Sequence, residues 1–334
     1  MKKLFTILAV AATLVSCAKD ETIAVNKGEA IQFGNAFVEN STRAAVDPSY
    51  NATNLKSFKV YGTVNNVNIF NGVEVTGTVG GTWTYNENYN QYWIAGASYK
   101  FVGIVDGNKT GVTETNLTNN MPTTISYTAD GKTDLLCKTV TKTAKTDGTS
   151  NGPVNFEFTH LLSKVNFTVT NNSATANGYS FVVKNITFNG ATSATYNVAT
   201  ATWNTPATAI GNTVIGNERT VKDNENKDVK VKDIVVASGA ASAELGTEVL
   251  FIPGEYTITF TVDILYNENV ITTTNYPATG TTYKHTLVAA NAYNFNVDVA
   301  VGELITFSVA TAPTWDADQN NDNAVDEKDY IELQ

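Results

Sequence analysis

The sequence has little of what catalysis and covalent cross-linking need. Its 334 residues include only two cysteines and two histidines. Cys17 belongs to an export motif and Cys137 is left alone, so we expect a fold that does not depend on disulfides. With His160 and His285 as its histidines, the chain has few ways to build a Ser-His-Asp triad or a histidine-rich metal site. No phosphate loop or Cys-x-x-Cys is present. We therefore predict a protein that is not an enzyme and that requires no cofactor.

Charge is also scarce, and the balance is acidic. Charged residues make up 16% of the chain, and the net charge is −10. Such a chain has no basic stripe for nucleic acid or for anionic lipid headgroups, so we predict no nucleic-acid partner. We find two arginines, Arg43 and Arg219.

The residues that are abundant favour strands and turns. Thr, Asn, Val, Tyr and Phe recur, and no segment has the pattern of an amphipathic helix of three turns. Apolar and polar residues alternate cleanly in Val165–Val169, Tyr256–Val262 and Tyr293–Val299. Many short strands with one apolar face each predict antiparallel β-sandwiches, and the length suffices for two domains. The polar stretch Thr139–Gly152 is the best candidate for an inter-domain linker.

The N-terminus carries an export signal. Two lysines precede an apolar run, Leu4–Val15, that is too short to span a bilayer as a permanent helix. The run ends in Leu14–Cys17, which resembles a bacterial lipobox, with residues 1–16 as the signal peptide and Cys17 as the acylated N-terminus. The alternative is a plain signal peptide that ends in cysteine. Lipidation predicts an outer-membrane lipoprotein precursor.

A candidate strand follows within residues 17–43. The charged start Ala18–Glu21 is either a surface-export signal or a solvated spacer. Glu29–Val38 places Ile31, Phe33 and Phe37 among polar residues. Arg43 then lies in a polar linker that a protease can reach.

Three further groups of side chains have a structural and a functional interpretation. We interpret Cys137 as a buried small hydrophobe and His160 as a packing or hydrogen-bonding residue. Trp83, Tyr85 and Tyr89 can stack on a sugar ring, although core packing is the more common role.

The C-terminal tail, residues 312–334, is acidic and carries a candidate calcium loop. Oxygen side chains occupy loop positions one, three, five, nine and twelve: Asp318, Asn320, Asp322, Asp326 and Asp329. Hard oxygen ligands at alternating positions can wrap Ca²⁺. A second register from Asp316 to Glu327 fits in part, and the alternative is an acidic solvated tail.

Several stretches resemble the Bacteroidota fimbrillins, the major and accessory subunits of type V pili. The resemblance is carried, in order along residues 50–315, by Tyr92-Trp93, Asp134-Leu135-Leu136, Phe156–Val165, Leu250-Phe251-Ile252-Pro253, Ala290–Tyr293 and Ile305–Phe307. It implies an all-β fold of two transthyretin-like/Ig-like antiparallel β-sandwich domains in tandem, here residues 44–150 and 151–311.

The resemblance also implies a maturation route. A fimbrillin is exported as a lipoprotein, and an arginine-specific protease removes the lipidated segment with its first strand. The matching cleavage site is Arg43, with Ala44 as the new N-terminus, unless Arg43 is an ordinary surface arginine. A strand from another subunit then fills the vacated groove, and the C-terminal segment is a candidate donor, although here only Ile331 and Leu333 alternate.

We therefore predict a structural subunit of surface fimbriae that supports adhesion to host or bacterial ligands. Two alternatives remain open: a tip or accessory fimbrial adhesin, and a glycan-binding surface lipoprotein that does not polymerise.

Overall fold

A computed structural model describes residues 28–37, 55–106, 112–173, 178–312 and 331–332. Within these ranges the regular elements are 25 β-strands and two 3₁₀ turns, Glu87–Tyr89 and Ala207–Ala209. None of the helical segments there is long and apolar enough to cross a membrane. The predicted all-β class is confirmed.

The first nine strands are β1 Phe33–Phe37, β2 Ser57–Val64, β3 Val67–Thr76, β4 Thr84–Tyr85, β5 Ser98–Val105, β6 Val112–Thr118, β7 Met121–Thr128, β8 Leu136–Thr143 and β9 Val154–Glu157. The others are β10 Thr159–His160, β11 Ser163–Asn171, β12 Tyr179–Ala191, β13 Ser193–Asn197, β14 Thr202–Asn204, β15 Ile210–Ile215, β16 Asn217–Lys222, β17 Asp228–Val236, β18 Ser242–Glu244, β19 Val249–Phe251, β20 Gly254–Tyr266, β21 Asn269–Tyr276, β22 Tyr283–Leu287, β23 Ala292–Val299, β24 Thr306–Ala312 and β25 Ile331–Glu332.

Asparagine-rich two-residue turns close several hairpins. Asn65-Asn66 joins β2 to β3, and Asn119-Asn120 joins β6 to β7, with φ positive at all four residues. Tight hairpins need this left-handed backbone, which asparagine tolerates better than most residues. The Asn-rich segments of the sequence thus fix where neighbouring strands turn back.

The structure contains tandem β-sandwiches. In the first, a six-stranded sheet of order β10-β8-β5-β2-β3-β4 packs against the two-stranded sheet β1-β9. In the second, a sheet of order β18-β11-β23-β24-β25 packs against one of order β16-β17-β12-β20-β21. Phe167 contacts Phe260 across this second core, with ring centroids 5.9 Å apart.

Two strand pairs depart from the predicted antiparallel arrangement. β1 runs parallel to β9, and β11 runs parallel to β23 over eight residue pairs, Lys164↔Ala292 to Asn171↔Val299. A parallel pair needs a long connection, and the chain between β11 and β23 supplies one by building the opposite sheet of the sandwich. Local alternation of side chains cannot reveal strand direction, so the sequence did not show this.

Each of the two buried clusters contains residues from both sides of the predicted boundary at residue 150. Val154 and Phe156 lie in the first core, although they follow the predicted linker. Met121 and Ile125 lie in the second core, and their strand β7 joins β6, β13 and β14 in a four-stranded sheet. The domain boundary at residue 150 stays a prediction, and segments from both sides of it are interleaved.

Candidate functional site

The most distinctive feature of the first sandwich is the way in which β1 completes it. β1 pairs with β9 in the register Phe33↔Val154 and Ala36↔Phe156, with an irregularity between the two pairs. Val154 donates its backbone N–H to the carbonyl of Gln32 at 2.8 Å. The main chain of this N-terminal segment therefore extends a sheet edge formed by residues more than a hundred positions away.

The residues before β1 bind a second segment of the same sandwich. Ile31 donates its N–H to the carbonyl of Gln91 at 2.8 Å, and Trp93 donates its N–H to the carbonyl of Glu29 at 2.9 Å. Tyr85 adds a side-chain hydrogen bond from its hydroxyl to the carbonyl of Ile31 at 2.7 Å. The N-terminal segment thus lies between two parts of the chain and satisfies backbone groups of both.

Apolar side chains of this segment fill the first core. Ile31 and Ala36 are fully buried, and Phe33 is 3% exposed. The Phe33 ring lies 5.4 to 6.4 Å from five other rings, those of Phe58, Phe70, Tyr85, Phe101 and Phe156. Burying each large apolar side chain contributes about 1.5–3 kcal/mol, and aromatic pairs add about 0.5–1.5 kcal/mol each. Removing the segment would expose an apolar groove with Phe33's site at its centre.

Glu29 fastens the start of the segment to the loop between β8 and β9. Its carboxylate accepts hydrogen bonds from Ser150 Oγ at 2.5 Å and from the backbone N–H of Asn151 at 2.6 Å. These hydrogen bonds, that of Ser150 first, lower the pKa of Glu29. The contact is exposed to solvent, and it ties the N-terminal end of the segment to the loop between β8 and β9.

Gly34 allows the close approach of β1 to β9. A Cβ atom at this position would lie 2.8 Å from the ring of Pro153, and nearer still to the side chain of Asn155. Such contacts are shorter than side chains tolerate, so a strand in this position needs glycine or a local shift of β9.

Gly148–Gly152 matches the Gly-x-Ser-x-Gly pattern of serine hydrolases. That pattern needs its serine on a turn between a strand and a helix. Here Ser150 lies in a loop between two strands and donates to Glu29. In this structure the serine of the motif therefore binds Glu29 and helps to hold the N-terminal segment in place.

Several predicted site residues lie outside the described residues. These are Cys17, Arg43, Ala44 and the candidate calcium ligands Asp318, Asn320, Asp322, Asp326 and Asp329. In the part of the chain that the structure describes, no group of three or more His, Cys, Asp or Glu side chains is arranged to hold a metal ion. Of the predicted tail, Ala312 is the last residue of β24, and Ile331 and Glu332 pair with Phe307 and Thr306 of the same strand.

The remaining candidates are mostly structural. Cys137 is buried, which raises the pKa of its thiol to about 12 and leaves it a weak nucleophile. His160 is buried, and its Nδ1 lies 2.8 Å from Asp134 Oδ2. Trp83 is 4% exposed and packs on Phe58, so it belongs to the core, whereas Tyr89 is 52% exposed.

Sequence reasoning found the strand with Ile31 and Phe33 but missed its partners. The contact between Glu29 and Ser150 spans 121 positions, and the Gly-x-Ser-x-Gly pattern around Ser150 does not point to a carboxylate partner. The sequence signal for this contact is Glu29 itself, an acidic residue two positions before Ile31. The alternation pattern does not show whether such a side chain faces solvent or binds another part of the chain.

This geometry defines a class of protein with tandem β-sandwiches, in which an N-terminal strand completes the first sandwich. A sequence profile described as fimbrillin-like matches residues 42–315, and the chain belongs to this family. The resemblance drawn from the sequence motifs is thereby confirmed. The family places the chain among fimbrial or adhesin-like proteins of the cell surface, which are structural proteins.

The chain is similar to solved structures of fimbrial proteins, and the first of these agrees with the fold. A fimbrial protein from Bacteroides vulgatus is similar over 86% of this chain and 100% of that chain, with 14% identity and a TM-score of 0.55. The fimbrial anchor protein Mfa2 from Porphyromonas gingivalis is similar over 85% of this chain and 96% of that chain, with 11% identity and a TM-score of 0.38. A search of curated proteins found no match.

Proposed function

We propose that this chain is a structural subunit of surface fimbriae that polymerises by donor-strand exchange. The observation that carries the proposal is the N-terminal segment itself. It fills the centre of the first core with Ile31 and Phe33, yet its covalent link to the rest of the sandwich runs through residues 38–54. One cut in that connection makes the segment a separate peptide.

Arg43 is the proposed cleavage site. It follows β1 and precedes β2, and the fimbrillin-like match begins at residue 42, which leaves β1 outside. While the connection is intact, the tether holds β1 at a high effective concentration beside its groove. Cleavage removes this advantage, so that β1 dissociates and the groove becomes available.

A strand from another subunit then replaces β1. Backbone hydrogen bonds satisfy the bare edge of β9, and alternate side chains fill the positions of Ile31 and Phe33. Donor and groove lie on different surfaces, so the contact is head-to-tail and a filament grows.

The C-terminal tail is the proposed donor. Asp329, Ile331 and Leu333 have the same acid–apolar–apolar spacing as Glu29, Ile31 and Phe33. An acidic residue two positions before the first apolar one would meet Ser150 and Asn151 as Glu29 does. Its residues Ile331 and Glu332 already lie as a strand against β24.

Before cleavage, the proposed precursor is a lipoprotein. Acylation of Cys17 would hold it at the outer membrane, and an arginine-specific protease would release the rest of the chain into the fimbrium. Its partners are other fimbrial subunits and, through adhesion, surface ligands.

The experiment that tests this function compares Arg43→Ala with wild type in a host that assembles the fimbriae. For wild type we expect an N-terminus at Ala44 and ladders of polymers on denaturing gels without boiling. For Arg43→Ala we expect an acylated Cys17 N-terminus and no ladder. Arg219→Lys is the matched control, since it alters the other arginine and should polymerise normally. Ladders from Arg43→Ala, or wild-type fimbriae that start at Cys17, would refute the proposal.

One observation favours the glycan-binding alternative. Tyr89 and Tyr85 line an open cleft of about 550 Å³ together with Glu74, Asn71 and Asn86. Aromatic faces beside amide and carboxylate groups suit sugar rings and their hydroxyls. A surface protein that retains acylated Cys17 and whose glycan binding is lost in Tyr89→Ala would support this function instead.

A further inference from the structure

The strand β1 does not pair with β9 in a regular register. Phe33 lies opposite Val154 and Ala36 lies opposite Phe156, so that Gly34 and its successor together face one residue of β9. This two-to-one arrangement is a β-bulge, which is rare between parallel strands. The groove of the first sandwich therefore holds a strand with one extra residue.

The bulge changes which positions of β1 face the core. In a regular strand every second side chain points to the same face, so position 35 would follow position 33 into the core. Here the next core side chain that the structure describes is Ala36, which is fully buried like Ile31, while Phe33 is 3% exposed. The core-facing residues are thus spaced by two positions and then by three. A strictly alternating strand would bring a different side chain to the site of Ala36.

Gly34 lies in the bulge, where β9 leaves no room for a side chain. A Cβ atom on Gly34 would lie 2.8 Å from both Cβ and Cγ of Pro153, and nearer still to Asn155 Oδ1. The amide of Asn155 is the end of an exposed, flexible side chain and can rotate away. The ring of Pro153 cannot, because it is closed onto the backbone and fixes φ. Pro153 is therefore the residue that makes this position require glycine.

Contacts on both sides of Pro153 hold its backbone in place. Lys142 Nζ donates to the carbonyl of Pro153 at 2.9 Å, and the same ammonium group lies 5.5 Å from the ring centroid of Trp93. Val154, the next residue, donates its N–H to the carbonyl of Gln32. A strand with a Cβ atom at the position of Gly34 must displace this part of β9 and strain these contacts.

We propose that the groove selects its donor strand by this pattern, and that Pro153 selects for glycine at the bulge. The accepted strand runs parallel to β9. It carries two apolar residues two positions apart, then glycine, then a small residue two positions after the glycine. The inference rests on the proposed exchange of β1, since it concerns the same groove, and it adds the chemistry of the partner that the groove accepts.

The proposed donor differs from β1 at the bulge. When Asp329 of the tail is aligned with Glu29, Gln334 takes the place of Gly34. Its Cβ atom would then meet the ring of Pro153. We therefore expect a tail with Gln334→Gly to bind the groove more tightly than the natural tail, and Pro153→Gly to remove this difference.

The first test measures the stability of the full-length chain by chemical denaturation. Alanine normally stabilises a strand relative to glycine, because glycine loses more conformational entropy on folding. Gly34→Ala should do the opposite and lower the folded-to-unfolded ratio about tenfold, as expected for overpacking. In a Pro153→Gly background the same change should have little effect, which a double-mutant cycle measures. Gln32→Ala, an exposed neighbour, is the matched control.

A Gly34→Ala chain as stable as wild type would overturn the proposal. So would an equal loss of stability from Gly34→Ala with and without Pro153, because the clash would then lie elsewhere.

The second test measures strand exchange directly. A sequence-specific protease site is inserted within residues 38–54 of the full-length chain, so that the test does not depend on cleavage at Arg43. After the cut, fluorescent peptides of residues 28–37 compete with the bound β1. We expect the peptides with Gly34→Ala, or with Asn35 deleted, to bind at least about tenfold more weakly than the wild-type peptide. The peptide with Gln32→Ala should bind as wild type.

The chain with Pro153→Gly separates the two parts of the pattern. It should accept the Gly34→Ala peptide almost as well as the wild-type peptide, and it should still reject the peptide without Asn35, whose core-facing residues are wrongly spaced. Equal binding of all the peptides to the unmodified chain would refute the selectivity.

The same assay distinguishes this inference from the proposed function. If peptides of residues 325–334 fail to bind with and without Gln334→Gly while the β1 peptides discriminate, the tail is not the donor, and the selectivity of the groove stands. If Arg43→Ala still forms ladders, cleavage at Arg43 is refuted, whereas the peptide results are unaffected.

Discussion

The two sandwiches complete their cores in different ways. The first takes its central aromatic residue, Phe33, from a strand that a 17-residue connection, residues 38–54, links to the rest of the sandwich, and it surrounds that ring with five others. The second holds Phe167, Phe260 and Phe295 on long strands within one continuous stretch of chain. A single cut in that connection can therefore free β1 and open the first core, whereas the strands that carry Phe167, Phe260 and Phe295 are each followed and preceded by further strands of the second sandwich or its neighbours.

The second core also contains a buried ion pair. Lys164 Nζ lies 3.5 Å from Glu248 Oε2, and both side chains are fully buried. Lys164 lies on β11, between its neighbours β19 and β23. Buried ion pairs add little net stability, but breaking one leaves an uncompensated charge in an apolar environment. In the described part of the first core, the contacts around Phe33 are apolar, and apolar cores tolerate substitution by side chains of similar volume.

The largest expected effect comes from Ile31→Ala/Phe33→Ala. By the usual cost of truncating buried side chains, the pair should destabilise the first sandwich by about 5–10 kcal/mol. Hydrogen exchange should then show loss of protection in β2 and β5 while β12 and β20 stay protected. The matched variant, Val165→Ala/Phe167→Ala, should instead expose the second sandwich. Equal loss in both sandwiches from the first variant would show that the two cores do not differ.

Lys164→Met should cost about 3–5 kcal/mol, because it leaves the Glu248 carboxylate buried without its cation. Chemical denaturation monitored by far-ultraviolet circular dichroism measures the change. The double variant Lys164→Met/Glu248→Leu should recover most of the loss. If the double variant is as unstable as the single one, packing around Lys164 rather than charge explains the effect.

A smaller effect is expected at Glu29. Folding lowers its pKa, so its contacts stabilise the folded state above the ordinary pKa of about 4.3, and this contribution is lost as the pH falls through the lowered value. After cleavage, β1 should dissociate faster in acid than at neutral pH. Glu29→Gln should dissociate faster at neutral pH and show a weaker acid effect. A fluorescent label on the N-terminal peptide follows its release, and an unchanged pH profile in Glu29→Gln would exclude the carboxylate as the cause.

The smallest effect concerns calcium. If the loop from Asp318 to Asp329 binds Ca²⁺, a chelator should lower the melting temperature by mass action, and Asp322→Ala should abolish the shift. Asp223→Ala, in an acidic turn between β16 and β17, is the matched control. Equal melting curves with and without chelator would identify the tail as a solvated acidic segment.

Sequence patterns predicted the elements better than their partners. The alternation of Ile31 and Phe33 with polar residues predicted a strand, and many such segments predicted the all-β class. The pairing of β1 with β9 could not be inferred, because direction and partner depend on contacts between residues 33 and 154, which local patterns do not encode. Asp134 and His160 likewise fall in two separate family-like motifs, and only the fold brings them to 2.8 Å.

Because β1 pairs with β9, β1 cannot pack until the chain has been synthesised as far as β9. Phe33 cannot reach its place until Val154–Glu157 has emerged, because those residues supply the edge on which β1 lies. Contacts this distant in sequence form late and slow the search for the native state. The first of the described strands to be synthesised is thus among the last to pack, and until then its apolar face needs protection from aggregation. The first sandwich therefore becomes complete only when the second has begun.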